Sequence, residues 1–207
     1  MKVCHQSKHH FANCLAIHTF AYVDQKAAIN DFAVELLRML GFEQRGCILR
    51  SRYAIPLNIC GESSQTAQTD ICLLHHASTI FLLVQEDKSE LNAESKVISE
   101  AIASFQENNR NRIWLGKSRK SSMSIPCITM VGTRPIFYVV PVTQQLCTAV
   151  ERGQNPEEAT EVTKCVVGAE TQLSDGMERL DFRLEALMHY VLFRSLTEGL
   201  LSDILAD

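Results

Sequence analysis

No stretch of the sequence approaches the roughly 18 consecutive apolar residues of a membrane-crossing helix, so no membrane span is expected. The Cys-x-x-Cys spacing of zinc ribbons and redox motifs is also missing. The cysteines fall at 4, 14, 47, 60, 72, 127, 147 and 165 and form neither a close pair nor a Cys/His cluster, which argues against structural zinc. Cys72 and Cys127 lie inside apolar runs, where a thiol serves as a small hydrophobe. A reducing, intracellular setting, cytoplasmic or nuclear, follows as the expectation. There is no excess of positive charge: the formal net charge is -4, which excludes a protein that coats nucleic acid with its whole surface but leaves room for a local basic groove. The first ten residues are basic and histidine-containing. Residues 11–23 are broken by Asn13 and His18 with no small-residue cleavage site after them, so a secretory signal is not expected. Internal repeats and low-complexity tracts are missing as well.

What is present is the composition of a globular domain, 46% hydrophobic and 21% charged over 207 residues, enough to bury a full core. A single domain is expected, with a core over about 24–142 and a helical appendage over about 143–207. Ala28, Ile29, Phe32, Leu36, Leu37 and Leu40 recur at helical spacing, with Asp24 placed to cap the start and Gly41 the end. Residues 46–60 read as extended, and the polar 61–69 as a turn. An apolar run at 71–74 and another at 80–84 are separated by His75-His76-Ala77-Ser78-Thr79, a solvated hairpin tip. The spacing predicts a helix over about 93–108, a mobile basic loop over 110–120, and strands at 125–130 and 135–142 joined at Gly132. A short helix over 143–152 and a long one over about 175–205 follow. The long one repeats Leu180, Leu184, Leu187, Met188, Val191, Leu196 and Leu200, which suits a core face or a homodimer face. Helices alternating with strands in this order predict a mixed α/β sheet with helices on its faces.

The chemistry concentrates after the run Ile80-Phe81-Leu82-Leu83-Val84, which passes Gln85 and enters Glu86-Asp87-Lys88. Strand alternation puts Glu86 and Lys88 on one face. Charges at the end of a core strand are costly unless paired or bound to a metal. Sixteen residues upstream, Asp70 opens the neighbouring run, so a hairpin would bring it beside Glu86. Two carboxylates and a lysine at one point make a metal-and-water site for phosphodiester chemistry. The alternative is an ordinary strand-end ion pair with Asp70 capping a turn. Glu94-Ser95-Lys96 repeats the Glu-x-Lys pattern, but in a helical stretch, where residues two apart face different ways.

Asp70, then Glu86-x-Lys88 on the next strand, with a helix before and after, resembles the PD-(D/E)XK nuclease superfamily over about 24–142. The wording LLVQEDK, SEAIASFQENN and ITMVGTRPIFY also resembles a set of proteins from mushroom-forming fungi, a likeness that brings no activity with it. The superfamily resemblance implies a restriction-endonuclease-like core and a Mg²⁺- or Mn²⁺-dependent endonuclease acting on DNA or RNA. It implies Asp70 and Glu86 as metal-binding carboxylates, Asp87 lending its backbone carbonyl, and Lys88 orienting or activating water. It implies a further acid on the first helix, Asp31 or, failing that, Glu35. Thr69 stands where the family pattern has proline. Gln106 resembles a glutamine of the RecB-type branch, although Arg110 replaces the tyrosine expected four residues later. Glu62 is a turn residue or an accessory acid. Arg110, Arg112, Trp114, Lys117, Arg119 and Lys120 form either a solvated loop or a nucleic-acid-binding arm in which Trp114 stacks on a base. A catalytically inactive nuclease-fold binding or assembly module is the alternative function.

Overall fold

The computed structural model describes residues 26–86, 90–168 and 176–206. Helix α1 (Lys26–Met39) leads into β1 (Cys47–Ile59), β2 (Glu62–His75) and β3 (Thr79–Glu86). Helix α2 (Glu90–Trp114), β4 (Ser122–Val131), β5 (Arg134–Thr143), α3 (Gln144–Arg152), β6 (Thr163–Val166) and α4 (Leu180–Leu205) complete the chain. The protein is an α/β structure: one six-stranded mixed sheet, in the order β1-β2-β3-β4-β5-β6, flanked by helices and closed by the long C-terminal helix. Every neighbouring pair is antiparallel except β3–β4, which runs parallel. A parallel pair needs a crossover, and α2 supplies it. No helix among the described residues is long and apolar enough to cross a membrane.

Two aromatic neighbours on β5 identify the faces of the sheet. Tyr138 sends its hydroxyl to Glu94 of α2 at 3.3 Å. Phe137 packs instead on Tyr190 and Phe193 of α4, with ring centroids 5.0 and 4.9 Å away. Tyr138, Cys127, Leu83 and Cys72 stand side by side across four strands, as do Phe137, Ile128, Val84 and Ile71. The first row therefore lies under α2 and the second under α4. Both rows are almost fully buried, and this sandwich of sheet between helices is the core.

Several boundaries depart from the sequence reading, each for a physical reason. Residues 62–69 are strand rather than turn: the chain reverses at Cys60 and Gly61, both left-handed at φ 53° and 79°, a two-residue hairpin turn. The outer half of β2 is exposed and polar, so its ladder to β1 is held by backbone bonds that leave no hydrophobic signature. Helix α2 runs on to Trp114, so 110–114 belong to its last turn and not to a loop. Strand β6 was too short and too exposed to register in the pattern. Helix α4 buries Phe182, Ala186, Tyr190 and Phe193, not the leucine stripe, because the aromatic rings fill the space above Phe137. Asp24 lies outside the described residues.

Candidate functional site

Asp70 occupies β2 one step beyond the Ile71–Val84 pair, which puts it opposite Gln85 on β3. Gln85 in turn stands beside Thr129 on β4. On the other side, the pairs Ser51–Ile71 and Tyr53–Thr69 bracket Arg52 opposite Asp70. Arg52, Asp70, Gln85 and Thr129 thus form a polar row across four strands of a sheet that is otherwise apolar here. By alternation Asp70 shares the face of Cys72, and Gln85 that of Leu83, so the row lies on the α2 side. Arg52 adopts φ 54°, a left-handed conformation uncommon for a side chain of this size and a mark of local strain.

Helix α2 brings Lys96, Ser99 and Glu100 over this row. Together with Asn30 of α1, Arg52, Asp70 and Gln85 they line a concavity of about 500 Å³. Glu100 is 2% exposed and Asp70 9%. The Glu100 charge is felt below it: burial first, then this carboxylate, pushes the Cys72 thiol up to about 12. The same two causes, in the same order, raise Cys127. Gln85 is also 2% exposed. Its Nε2 donates to the Glu86 carbonyl at 3.1 Å, which fixes the amide orientation and leaves Oε1 buried with no hydrogen-bond partner among the described residues. A buried acceptor left open in this way is uncommon in a native fold.

The expected meeting of Asp70 with Glu86 takes a different form. Asp70 Oδ2 accepts a hydrogen bond from the Glu86 backbone N–H at 3.0 Å, tying the two strand ends together. The Glu86 side chain belongs by alternation to the opposite face, with Val84, and its ladder partner Met130 receives the Tyr190 hydroxyl of α4 at 3.7 Å. Gln85, one residue earlier, takes the place beside Asp70 that the hairpin argument gave to Glu86, because the register is offset by one. Asp87 and Lys88 lie outside the described residues. On α1, Asp31 is exposed and Glu35 pairs with Arg38 at 2.9 Å; the α1 residue lining the concavity is Asn30.

Other expectations are relocated. Glu62 sits at the outer end of β2, eight residues from Asp70, roughly 27 Å of extended chain, and accepts from Gln65 at 2.7 Å. Gln106 is a brace between α2 and β1: its Oε1 accepts from Asn58 N at 2.8 Å and its Nε2 donates to Asn58 O at 3.0 Å. Arg112 is buried, donating to the carbonyls of Ser118 at 2.7 Å and Ile204 at 2.8 Å. Lys117 reaches the Leu205 carbonyl at 3.3 Å. These two cations cap the C-terminal end of α4, where the helix dipole favours positive charge. Lys120 is held by its backbone to Asn109. Arg110 pairs with Glu107. Trp114, 84% exposed, and Arg119 face solvent. From Glu100 to Trp114 is about 21 Å along the helix axis, so this cluster stands well away from the concavity.

Among the described residues no three His, Cys, Asp or Glu side chains gather into a metal-binding group. The oxygen set of the concavity nevertheless suits a hard cation: Mg²⁺ is commonly held by one or two carboxylates, with waters and substrate phosphate filling the rest. Asp70, Glu100 and the open Gln85 Oε1 are such donors. Gln85, Glu100 and Arg52 were missed because their signal is register and helix placement, not a motif; Lys96 was set aside with Glu94 as a Glu-x-Lys pattern on a helix, yet it lines the concavity. Comparison with known proteins returns no matching family model, no matching curated protein and no matching solved structure.

Proposed function

We propose that the protein is a metal-dependent nuclease of the PD-(D/E)XK type, hydrolysing phosphodiester bonds in DNA or RNA with Mg²⁺ or Mn²⁺. The observation that carries this reading is the buried oxygen set of Asp70, Gln85 and Glu100 in a concavity edged by the cations Arg52 and Lys96. Asp70 and Glu100 hold the ion, with Gln85 Oε1 as a third donor. The ion supplies charge stabilisation and a lowered pKa for water. Arg52 and Lys96 are placed to draw in the phosphate and offset the charge that builds on it. The strained Arg52 backbone fits a residue held for function rather than for stability. The exposed Trp114 and Arg119 give nucleic acid a second contact about six nucleotide steps from the concavity, at 3.4 Å per step along one strand.

The test is cleavage of single- and double-stranded DNA and RNA with Mg²⁺ or Mn²⁺, abolished by a chelator. Lys96→Ala is expected to leave metal affinity largely intact while slowing cleavage, since a cation acting on the phosphate contributes chiefly in the transition state. Cleavage unaffected by Asp70→Asn and Glu100→Gln would refute the assignment. A second reading, a catalytically silent nuclease-fold binding module, is favoured by one observation: Glu86 takes the face away from Asp70. It expects nucleic-acid binding without cleavage under any metal.

A further inference from the structure

Helix α4 is apolar on two sides. Its inner face buries Phe182, Ala186, Tyr190 and Phe193 against the sheet. Its outer face carries Leu180, Leu184, Met188, Val191, Leu192 and Leu196, each between 45% and 67% exposed. A helix that is hydrophobic all round belongs in an interior, and a contiguous patch of this kind marks an interaction surface.

The pattern of the patch names its occupant. Leu180, Leu184, Met188, Leu192 and Leu196 fall at strict four-residue intervals, one continuous ridge of the kind that packs between the ridges of another helix. Reversed end for end about Met188, the ridge maps onto itself: Leu184 falls on Leu192 and Leu180 on Leu196. A surface complementary to its own reversed copy is what a two-fold interface requires. Charge selects the same arrangement. Asp181 and Glu185 flank the N-terminal half of the ridge, while Ser195 and Gly199 flank the other half, and all four are exposed. An antiparallel pair about Met188 sets Asp181 of one copy against Ser195 of the other and Glu185 against Val191, acid against uncharged residue, whereas a parallel pair would stack acid on acid. Burying six such side chains at roughly 100 Å² each removes about 1,200 Å² over two copies, the lower edge of stable interfaces.

We infer that this outer face of α4 is a homodimer interface in which two copies of the helix pack antiparallel about Met188. The dimer is independent of the nuclease reading, since α4 lies on the sheet face away from the concavity.

Sedimentation equilibrium of the full chain from about 1 to 200 µM tests it. The wild type is expected to move from 23.2 kDa toward twice that mass. Met188→Glu, which sets like charges together on the two-fold axis, is expected to remain monomeric with an unchanged circular dichroism spectrum. Met188→Cys is expected to form a covalent dimer on mild oxidation and Leu180→Cys is not, because only the residue on the axis meets itself. A single 23.2 kDa species at every concentration would overturn the inference, and would leave the patch to another partner. A dimer that persists in Met188→Glu would place the interface elsewhere. Efficient cross-linking through Leu180→Cys would overturn the antiparallel arrangement.

Discussion

Gln85 and Gln106 are both buried, 2% and 8% exposed, yet their amides end in opposite situations. Gln106 spends its oxygen and nitrogen on the backbone of Asn58. Gln85 anchors its nitrogen on Glu86 and leaves its oxygen open beside a polar concavity. The contrast extends to the two ends of α2. Toward its C-terminus, Asn108 clamps both backbone groups of Ile80, Asn111 holds Ser78 and Arg112 holds Ile204. Toward its N-terminus, Lys96, Ser99 and Glu100 line the concavity. A buried amide whose two ends meet backbone partners builds the fold; one that turns its oxygen toward a cavity, as Gln85 does, offers it to a ligand.

The largest effects should fall at the open end. Asp70→Asn or Glu100→Gln is expected to slow cleavage on the order of 10²–10³-fold, the cost of losing one electrostatic stabiliser. Measured under single turnover, Glu86→Gln should cost far less. At the closed end the loss is in stability instead. Asn108→Ala strands the N–H and C=O of Ile80 and should lower stability by about 2–4 kcal/mol, read from the urea midpoint. Gln106→Ala, more peripheral, should cost about 1–2 kcal/mol. Cleavage by either variant, assayed well below its unfolding midpoint, should match the wild type.

How much of this the sequence revealed depended on the kind of signal. The runs at 71–74 and 80–84 announced two core strands, and the hairpin joining them is the one observed. Asp70 was legible because it opens such a run. Gln85 was not, because a one-residue offset in register decides which side chain stands opposite Asp70, and register is set by packing. Glu100 carried no motif either; a 25-residue helix has to be laid across the sheet before its acid meets the strand end. The basic cluster at 110–120 misled in the opposite way. Composition suggested a mobile loop, either solvated or contacting phosphate, whereas Arg112 and Lys117 are drawn onto the C-terminal carbonyls of α4, 92 and 88 residues away.

Smaller effects sharpen the contrast. Trp114→Ala and Arg119→Ala should each weaken nucleic-acid binding by about 1 kcal/mol, seen in fluorescence anisotropy, with a shallower salt dependence for the arginine variant. Arg112→Ala should act on stability in place of binding. Gln85→Leu should stay within about 1 kcal/mol of the wild type, since one hydrogen bond is lost while an open buried acceptor is removed. Among the cysteines of the described residues, Cys60 and Cys165 are exposed and should alkylate first. Cys72 and Cys147, raised chiefly by burial to about 12 and about 11, should stay unmodified near neutral pH until the protein unfolds. Peptide mapping after a timed alkylation reads the order directly.

The most direct measurement is a calorimetric Mn²⁺ titration of the wild type, Asp70→Asn, Glu100→Gln and Glu86→Gln, each verified as folded. A cation held on the α2 side of the sheet requires affinity to fall by on the order of tenfold or more in the Asp70 and Glu100 variants, and to stay near the wild-type value in the Glu86 variant. Loss of binding in Glu86→Gln with full affinity in Glu100→Gln would contradict it and return the site to the opposite face of β3.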